Sequence, residues 1–200
     1  MNMTEIITTD EAREGFYPTP PNVGEKLLED IEWYKCGNVL EPSAGKGNLV
    51  DSIAADWNEQ RYKRRQEILS VDCIEIDPYL RSIIQYEYGG QRLGEIYSRI
   101  RDLENNREYD LDKHRYTFRS PSDAAVYREL EAERDKRKAV ECRIVHDNFL
   151  RFNSRKHYDL IVMNPPFSNG DEHLLHAIEL QSRNGGAIRC VLNAETLLNP

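Results

Sequence analysis

The chain has 200 residues, 31% of them Asp, Glu, Lys or Arg, and a formal net charge of −8; that suits one domain, 1–200, with a full core and a well-solvated surface. Residues 1–15 are polar and acidic with no apolar leader, and no later apolar run reaches the length of a membrane span, which argues against a membrane and for the cytoplasm. Cys36, Cys73, Cys142 and Cys190 are widely spaced without a Cys-x-x-Cys pair, so they read as buried reduced thiols, and no metal is expected.

In chain order, Val23, Leu27, Leu28 and Ile31 repeat at helical spacing just after Thr19-Pro20-Pro21, where proline is well placed to start a helix. Val39-Leu40 forms a short strand running into the glycine turn Glu41-Pro42-Ser43-Ala44-Gly45-Lys46-Gly47. Leu49, Val50, Ile53, Ala54 and Trp57 make the stripe of the next helix. A charged connection at 61–66 leads to a strand over 69–76. Asp77-Pro78 then supplies a helix N-cap and first residue. Further strands fall at 143–146, 160–163 and 187–192, with a helix over 172–181 between the last two. Alternating strands and helices predict a mostly parallel α/β sheet with helices on both faces.

Residues 91–140 break the rhythm. They hold 12 Lys or Arg and 11 Asp or Glu, so the other 150 residues carry the acidic balance. Leu93, Ile96, Tyr97, Ile100 and Leu103 form one helical stripe, Ser120-Pro121 a break, and 122–139 a second, mostly charged helix. This segment reads as a helical insertion between two strands. It could be a solvated hairpin on its own domain, a partner or dimer surface, or a nucleic-acid contact. The last matters because tight nucleic-acid binding draws on Lys and Arg at phosphates. A net-negative chain must concentrate those residues locally, borrow a partner, or bind weakly.

In an open parallel sheet, ligands sit beyond the carboxyl ends of the strands, where strand order reverses. The Gly45-Lys46-Gly47 turn ends the first strand. The full dinucleotide pattern Gly-x-Gly-x-x-Gly fails because Val50 takes its last glycine position, which argues against a nicotinamide dinucleotide. Glu75 ends the second strand, where a carboxylate can accept two hydrogen bonds from a ribose diol. The most specific element is the apolar strand that runs straight into Asn164-Pro165-Pro166-Phe167. Two prolines remove two N–H donors and stiffen the turn. They leave the Asn164 side-chain oxygen and the Pro165 carbonyl as acceptors, beside the flat face of Phe167. That set suits a planar group bearing an amino group.

On these residues the chain resembles the S-adenosylmethionine-dependent amino-methyltransferases that act on adenine N6, a class I, Rossmann-like fold. Thr19-Pro20-Pro21 resembles the motif that touches the methionine part of the cofactor, and Tyr17, Thr19 and Pro20 are assigned there. Glu41, Pro42, Ser43, Ala44, Gly45 and Gly47 resemble the glycine loop. Glu75 matches the ribose-binding acid, with Ile76 beside it. Asn164 to Phe167 match the catalytic tetrapeptide, with Asn164 also facing the cofactor. Phe16 to Pro20 and Asn193 to Thr196 are similar to phage and bacterial DNA methyltransferases in particular. Where the family has Asp-Phe after its third strand, this chain has Asn148-Phe149 with Asp147 one place earlier; either polar residue could bond the cofactor adenine, and Phe149 would stack on it. The family sheet gains two strands after the fifth. Here the sequence stops at Pro200, so a sheet short of those strands is expected.

The resemblance implies an enzyme that methylates adenine in DNA, with S-adenosylmethionine as cofactor and DNA as partner. The alternatives are adenine in RNA, a glutamine side-chain amide in a protein, and a non-catalytic partner-binding remnant. His173 and His176 are read as packing residues, and Ser168-Asn169-Gly170 as either a lid over the target base or a plain loop.

Overall fold

The computed structural model describes residues 18–60 and 66–192. Pro21 opens helix α1 (Pro21–Leu28), and strand β1 (Asn38–Glu41) follows. The Gly45–Gly47 turn leads into α2 (Asn48–Glu59), and then comes β2 (Leu69–Ile74). The Asp77 carboxylate accepts hydrogen bonds from the Tyr79 and Leu80 N–H groups and so caps α3 (Pro78–Tyr88). The insertion contains α4 (Gln91–Asn105), a hairpin of β3 (Glu108–Asp110) and β4 (Arg115–Thr117), and α5 (Pro121–Lys138). After it come β5 (Val140–His146), β6 (Leu160–Met163), α6 (Gly170–Asn184) and β7 (Ala187–Cys190).

The main sheet has five strands in the order β5-β2-β1-β6-β7, every pair parallel. Successive strands run outward from β1 to one side and then, from β6, to the other. Strand order therefore reverses between β1 and β6, and that opens a crevice beyond their carboxyl ends. One face buries Val39, Leu69, Val71, Leu160 and Val162 under Leu28 of α1, the stripe Leu49, Val50, Ile53 and Trp57 of α2, and Ile84 of α3. Trp33 and Trp57 meet edge to face there, 5.7 Å apart. The other face buries Leu40, Ile161 and Met163 under Ala177 and Leu180 of α6. Helices thus cover both faces, as the periodicity predicts.

Three details differ from the sequence reading. β2 ends at Ile74 instead of 76, because its register with β5 shifts between Cys73 and Ile74 and the ladder stops there. β5 begins at Val140 instead of 143. Glu141 and Arg143 point to solvent on this edge strand, so its first half lacks an apolar run. The insertion holds a hairpin as well as two helices. Its strands are three residues each and mix charges with Tyr109 and Tyr116, too short for alternation to show. The connection at 61–65 and residues 193–200 lie outside the described residues. Among the described residues no helix is long and apolar enough to cross a membrane, and the cysteines form no disulfide, although the Cys73 and Cys142 sulfurs lie 3.3 Å apart on neighbouring strands.

Candidate active site: a cleft where the strand order reverses

A cleft of about 390 Å³ opens at this reversal, a volume typical of small-molecule sites. Five stretches of sequence line it: Pro18-Thr19, the β1–α2 turn from Pro42 into Leu49, Ile74 to Asp77 with Leu80, Asp147 to Leu150, and the loop from Asn164 to His173.

The β1–α2 turn is shaped by its glycines. Gly45 has φ 56° and Gly47 φ 91°, a region that side-chain-bearing residues resist. This lets the backbone double back so that the Gly45 N–H donates to Glu75 Oε2 at 2.7 Å. Glu75 Oε1 accepts from the Asp77 N–H at 2.8 Å. The two bonds fix the carboxylate at the cleft, and each oxygen keeps a second lone pair. Burial raises the Glu75 pKa above the usual carboxylate value, opposed by these N–H bonds. Glu41 is 1% exposed. Its Oε1 accepts from the Ser43 N–H at 3.0 Å, while Oε2 is buried without a hydrogen-bond partner. Burial pushes its pKa up to about 8. The Ser43 hydroxyl is likewise buried and unpartnered.

Across the cleft, β6 delivers Asn164. Its Nδ2 donates to Thr19 Oγ1 at 3.2 Å, tying the two motifs together across the sequence. Its Oδ1 is buried with no partner. Phe149 is 2% exposed, packed against His173 with ring centroids 5.6 Å apart and edge-on to His176 at 4.8 Å. His173 Nδ1 bonds the Asn169 carbonyl at 2.8 Å and His176 Nε2 the Phe152 carbonyl at 2.8 Å. Both histidines therefore hold loops onto α6.

Of the residues expected from sequence, Thr19, Pro42, Ser43, Ala44, Gly45, Glu75, Ile76, Asp147, Asn148, Phe149, Asn164, Pro165 and Pro166 line the cleft. Pro20, Glu41 and Gly47 are adjacent in sequence to lining residues but do not line the cleft themselves. Phe167 is 46% exposed in a short 3-10 turn and is not part of the lining. Tyr17 lies outside the described residues. The sequence reading did not assign Lys46, Asn48, Leu49, Leu80, Leu150 or His173 to the cleft. Asn48, Leu49 and Leu80 sit in the first turns of helices that start at the strand ends, and that placement is the signal that could have found them.

A family model described as "Methyltransferase small domain" matches residues 112–198, from the hairpin through β7. No curated protein matches the sequence. Among solved structures, the rRNA methyltransferase AviRa from Streptomyces viridochromogenes is similar at 12% identity, with 89% of this chain and 74% of that chain covered and a TM-score of 0.50. The fold is a Rossmann-like methyltransferase fold. A putative RNA methyltransferase from Pyrococcus horikoshii gives 18% identity over 98% of this chain and 77% of that chain, TM-score 0.46. A dimethyladenosine transferase from Plasmodium falciparum gives 12% identity over 91% and 45%, TM-score 0.49.

Proposed function

We propose that this chain transfers a methyl group from S-adenosylmethionine to the exocyclic N6 amino group of adenine in DNA. The observation that carries the reading is Asn164 Oδ1, an acceptor buried at the cleft with no partner of its own. A buried polar atom left unpaired costs stability, and an amino group would satisfy it.

The cleft residues fit the cofactor. Glu75, held by two backbone N–H groups, has acceptor capacity for a ribose diol. Ser43 lines the cleft in the β1–α2 turn, and its unpartnered Oγ would bond a polar amino-acid moiety held there, with the unpartnered Glu41 Oε2 two residues earlier in the chain. Asp147 or Asn148 would bond the adenine edge, and Phe149 would form the apolar wall. The bound sulfonium supplies an activated methyl carbon.

The chain's own part is positioning and charge placement. The adenine amino nitrogen is a weak nucleophile because its lone pair is delocalised into the ring. Asn164 Oδ1 and the Pro165 carbonyl would accept hydrogen bonds from its two N–H groups and draw the nitrogen toward a pyramidal geometry, so that its lone pair could take the methyl carbon while the carbon–sulfur pair leaves on sulfur and one amino proton is released to solvent. The Thr19 hydroxyl fixes the Asn164 amide so that Oδ1 is the atom left for the substrate. In duplex DNA the base must leave the stack, and Phe167, the last residue of the Asn164–Phe167 tetrapeptide, offers a stacking face for it.

A second reading is adenine in RNA. The acceptor pair does not sense a 2′-hydroxyl, and the AviRa structure that shares the fold is named for an rRNA substrate. The test is to incubate the chain and labelled donor with matched DNA and RNA oligonucleotides, digest the products to nucleosides, and identify them by mass. N6-methyldeoxyadenosine supports the DNA reading and N6-methyladenosine the RNA reading. A methyl group on any other position, or on protein, overturns both. Asn164→Ala should lower turnover at least about 100-fold while leaving donor affinity nearly unchanged.

A further inference from the structure

We infer that Arg137, where the insertion returns to the sheet, is a positioning residue for donor binding: it holds the Tyr88 ring against Gly47, in the turn whose Gly45 and Lys46 line the cleft. The inference rests on the reading of the cleft as an S-adenosylmethionine site.

Many basic side chains of the insertion sit in exposed ion pairs, such as Lys113 with Asp110 and Arg119 with Glu108, and pairs of that kind contribute little. Arg137 differs. It lies in the last turn of α5, and its side chain is only 8% exposed. A guanidinium taken out of water is costly unless its N–H groups are matched, and here they are. Nε donates to Glu133 at 3.2 Å, Nη1 donates to the Glu87 carbonyl at 2.7 Å, and Nη2 lies against the Glu87 carboxylate. Arg92 of α4 clasps the same Glu133 at 3.0 and 3.1 Å. The Arg137 guanidinium carbon is 5.1 Å from the centre of the Tyr88 ring, within the range of a cation–π contact.

Tyr88 carries the contact onward. It is the last residue of α3 and packs against the core. A Cβ placed on Gly47 would lie 3.6 Å from its ring and 3.7 Å from Ile84, so the ring fills the space next to that glycine. The Tyr88 hydroxyl donates to Asp51 in the first turn of α2. Burial and the Asp51 charge raise the Tyr88 pKa and keep the hydroxyl a donor. The Asp51 N–H in turn bonds the Gly47 carbonyl at 2.8 Å, and Lys136, the neighbour of Arg137, reaches the Asp51 carboxylate at 3.0 Å. Lys136 and Arg137 therefore tie the start of α2 to the end of α3, and both attachments converge on Gly47. Gly47 has φ 91° and no side chain of its own to hold it. Two residues earlier, the Gly45 N–H fixes Glu75 at the cleft. A turn already set before the donor arrives loses less freedom on binding. Among the described residues the hairpin takes no part in this network.

The test is calorimetric titration of S-adenosylmethionine into wild type, Arg137→Met, Arg137→Lys, Tyr88→Phe, the Arg137→Met/Tyr88→Phe double variant and the control Arg107→Met, each well below its melting temperature. Arg107 makes the same kind of contact elsewhere in the insertion. It lies over Phe118 and Tyr127 at 5.0 and 5.1 Å and pairs with Glu104, none of which belongs to the network around Tyr88. Arg137→Met should weaken donor binding about three- to tenfold. Arg137→Lys should recover part of that loss, because an ammonium keeps the charge over the ring without the guanidinium fork. Tyr88→Phe should weaken binding about two- to threefold, and the double variant should lose less than the product of the two single losses. Arg107→Met should lower the melting temperature and bind like wild type. An Arg137 that served stability alone would behave in the same way, with a lower melting temperature and wild-type affinity. That result, or an equal loss of affinity in Arg107→Met, overturns the inference. Should Arg137→Met not fold, wild-type affinity in both Arg137→Lys and Tyr88→Phe overturns it instead. A wild type that binds no donor overturns the proposed function as well, whereas a wild type that binds beside an Arg137→Met of equal affinity overturns this inference alone.

Discussion

The Glu41 carboxyl has a single hydrogen bond, from Ser43, and burial pushes its pKa from an ordinary 4.5 up to about 8. A folded-state value above the unfolded one means that the folded chain holds a proton the unfolded chain gives up. That contribution to stability is complete below about pH 4.5 and is lost as pH rises through about 8, a change of about a few kcal/mol. The melting temperature of the unligated protein should therefore decline across that window. Glu41→Gln, which keeps the shape and removes the titration, should flatten the decline. Some slope will remain, because burial raises the Glu75 pKa as well and acts in the same direction. Thermal melts of both proteins at matched ionic strength from pH 5 to 9 decide it, and equal slopes would discard the assignment. Just over half of the residues that line the cleft were readable from sequence. Glu75 and Asn164 announce themselves by ending strands in polar chemistry, whereas the cleft role of His173 depends on how the 164–170 loop folds back onto α6, which no spacing reveals.

At the level of elements, the α6–β7 junction is tighter than its sequence suggests. Gly185 ends α6 with φ 76°, and its N–H donates to the Gln181 carbonyl at 2.7 Å. Gly186 then passes under β6. A Cβ there would lie 2.2 Å from the Tyr158 carbonyl oxygen and 2.4 Å from Gln181 Nε2. That amide in turn bonds the Tyr158 and Ala187 carbonyls at 3.2 and 3.0 Å. Backbone cannot give way as a flexible side chain can, so Gly186→Ala should cost about 2–3 kcal/mol. The melting temperature should drop by roughly 5–10 °C, measurable by calorimetry, and an unchanged melt would contradict this packing. The elements that the sequence showed plainly are those whose burial is one-sided over several turns, such as the α2 stripe from Leu49 to Trp57. Those it hid have short length or two solvent-facing neighbours, as in β3, β4 and the first half of β5. No period can accumulate there, and tertiary pairing decides the structure.

Across the whole molecule, the cleft is assembled from five separated stretches of chain, and none of residues 91–138 contributes to it. A ligand that bridges those stretches stabilises the folded state as a unit. At a donor concentration about 100 times its dissociation constant the gain is about 2.7 kcal/mol, or a rise in melting temperature of roughly 5–10 °C for a chain this long. Glu75→Ala should abolish most of that rise, since it removes the acceptor for the ribose and strands the Gly45 and Asp77 N–H groups. The hairpin makes the contrasting case. Glu108 and Thr117 are paired across it, so residues 109–116 can be replaced by an Asn-Gly turn that joins the same two positions. The helices beneath remain held by the Arg92–Glu133 pair and by buried Ile96 and Ile100. Such a trimmed chain should show the full donor-induced rise. Loss of the rise on trimming would mean that the hairpin reaches the cleft energetically, and the division between a binding core and a peripheral arm would have to be redrawn.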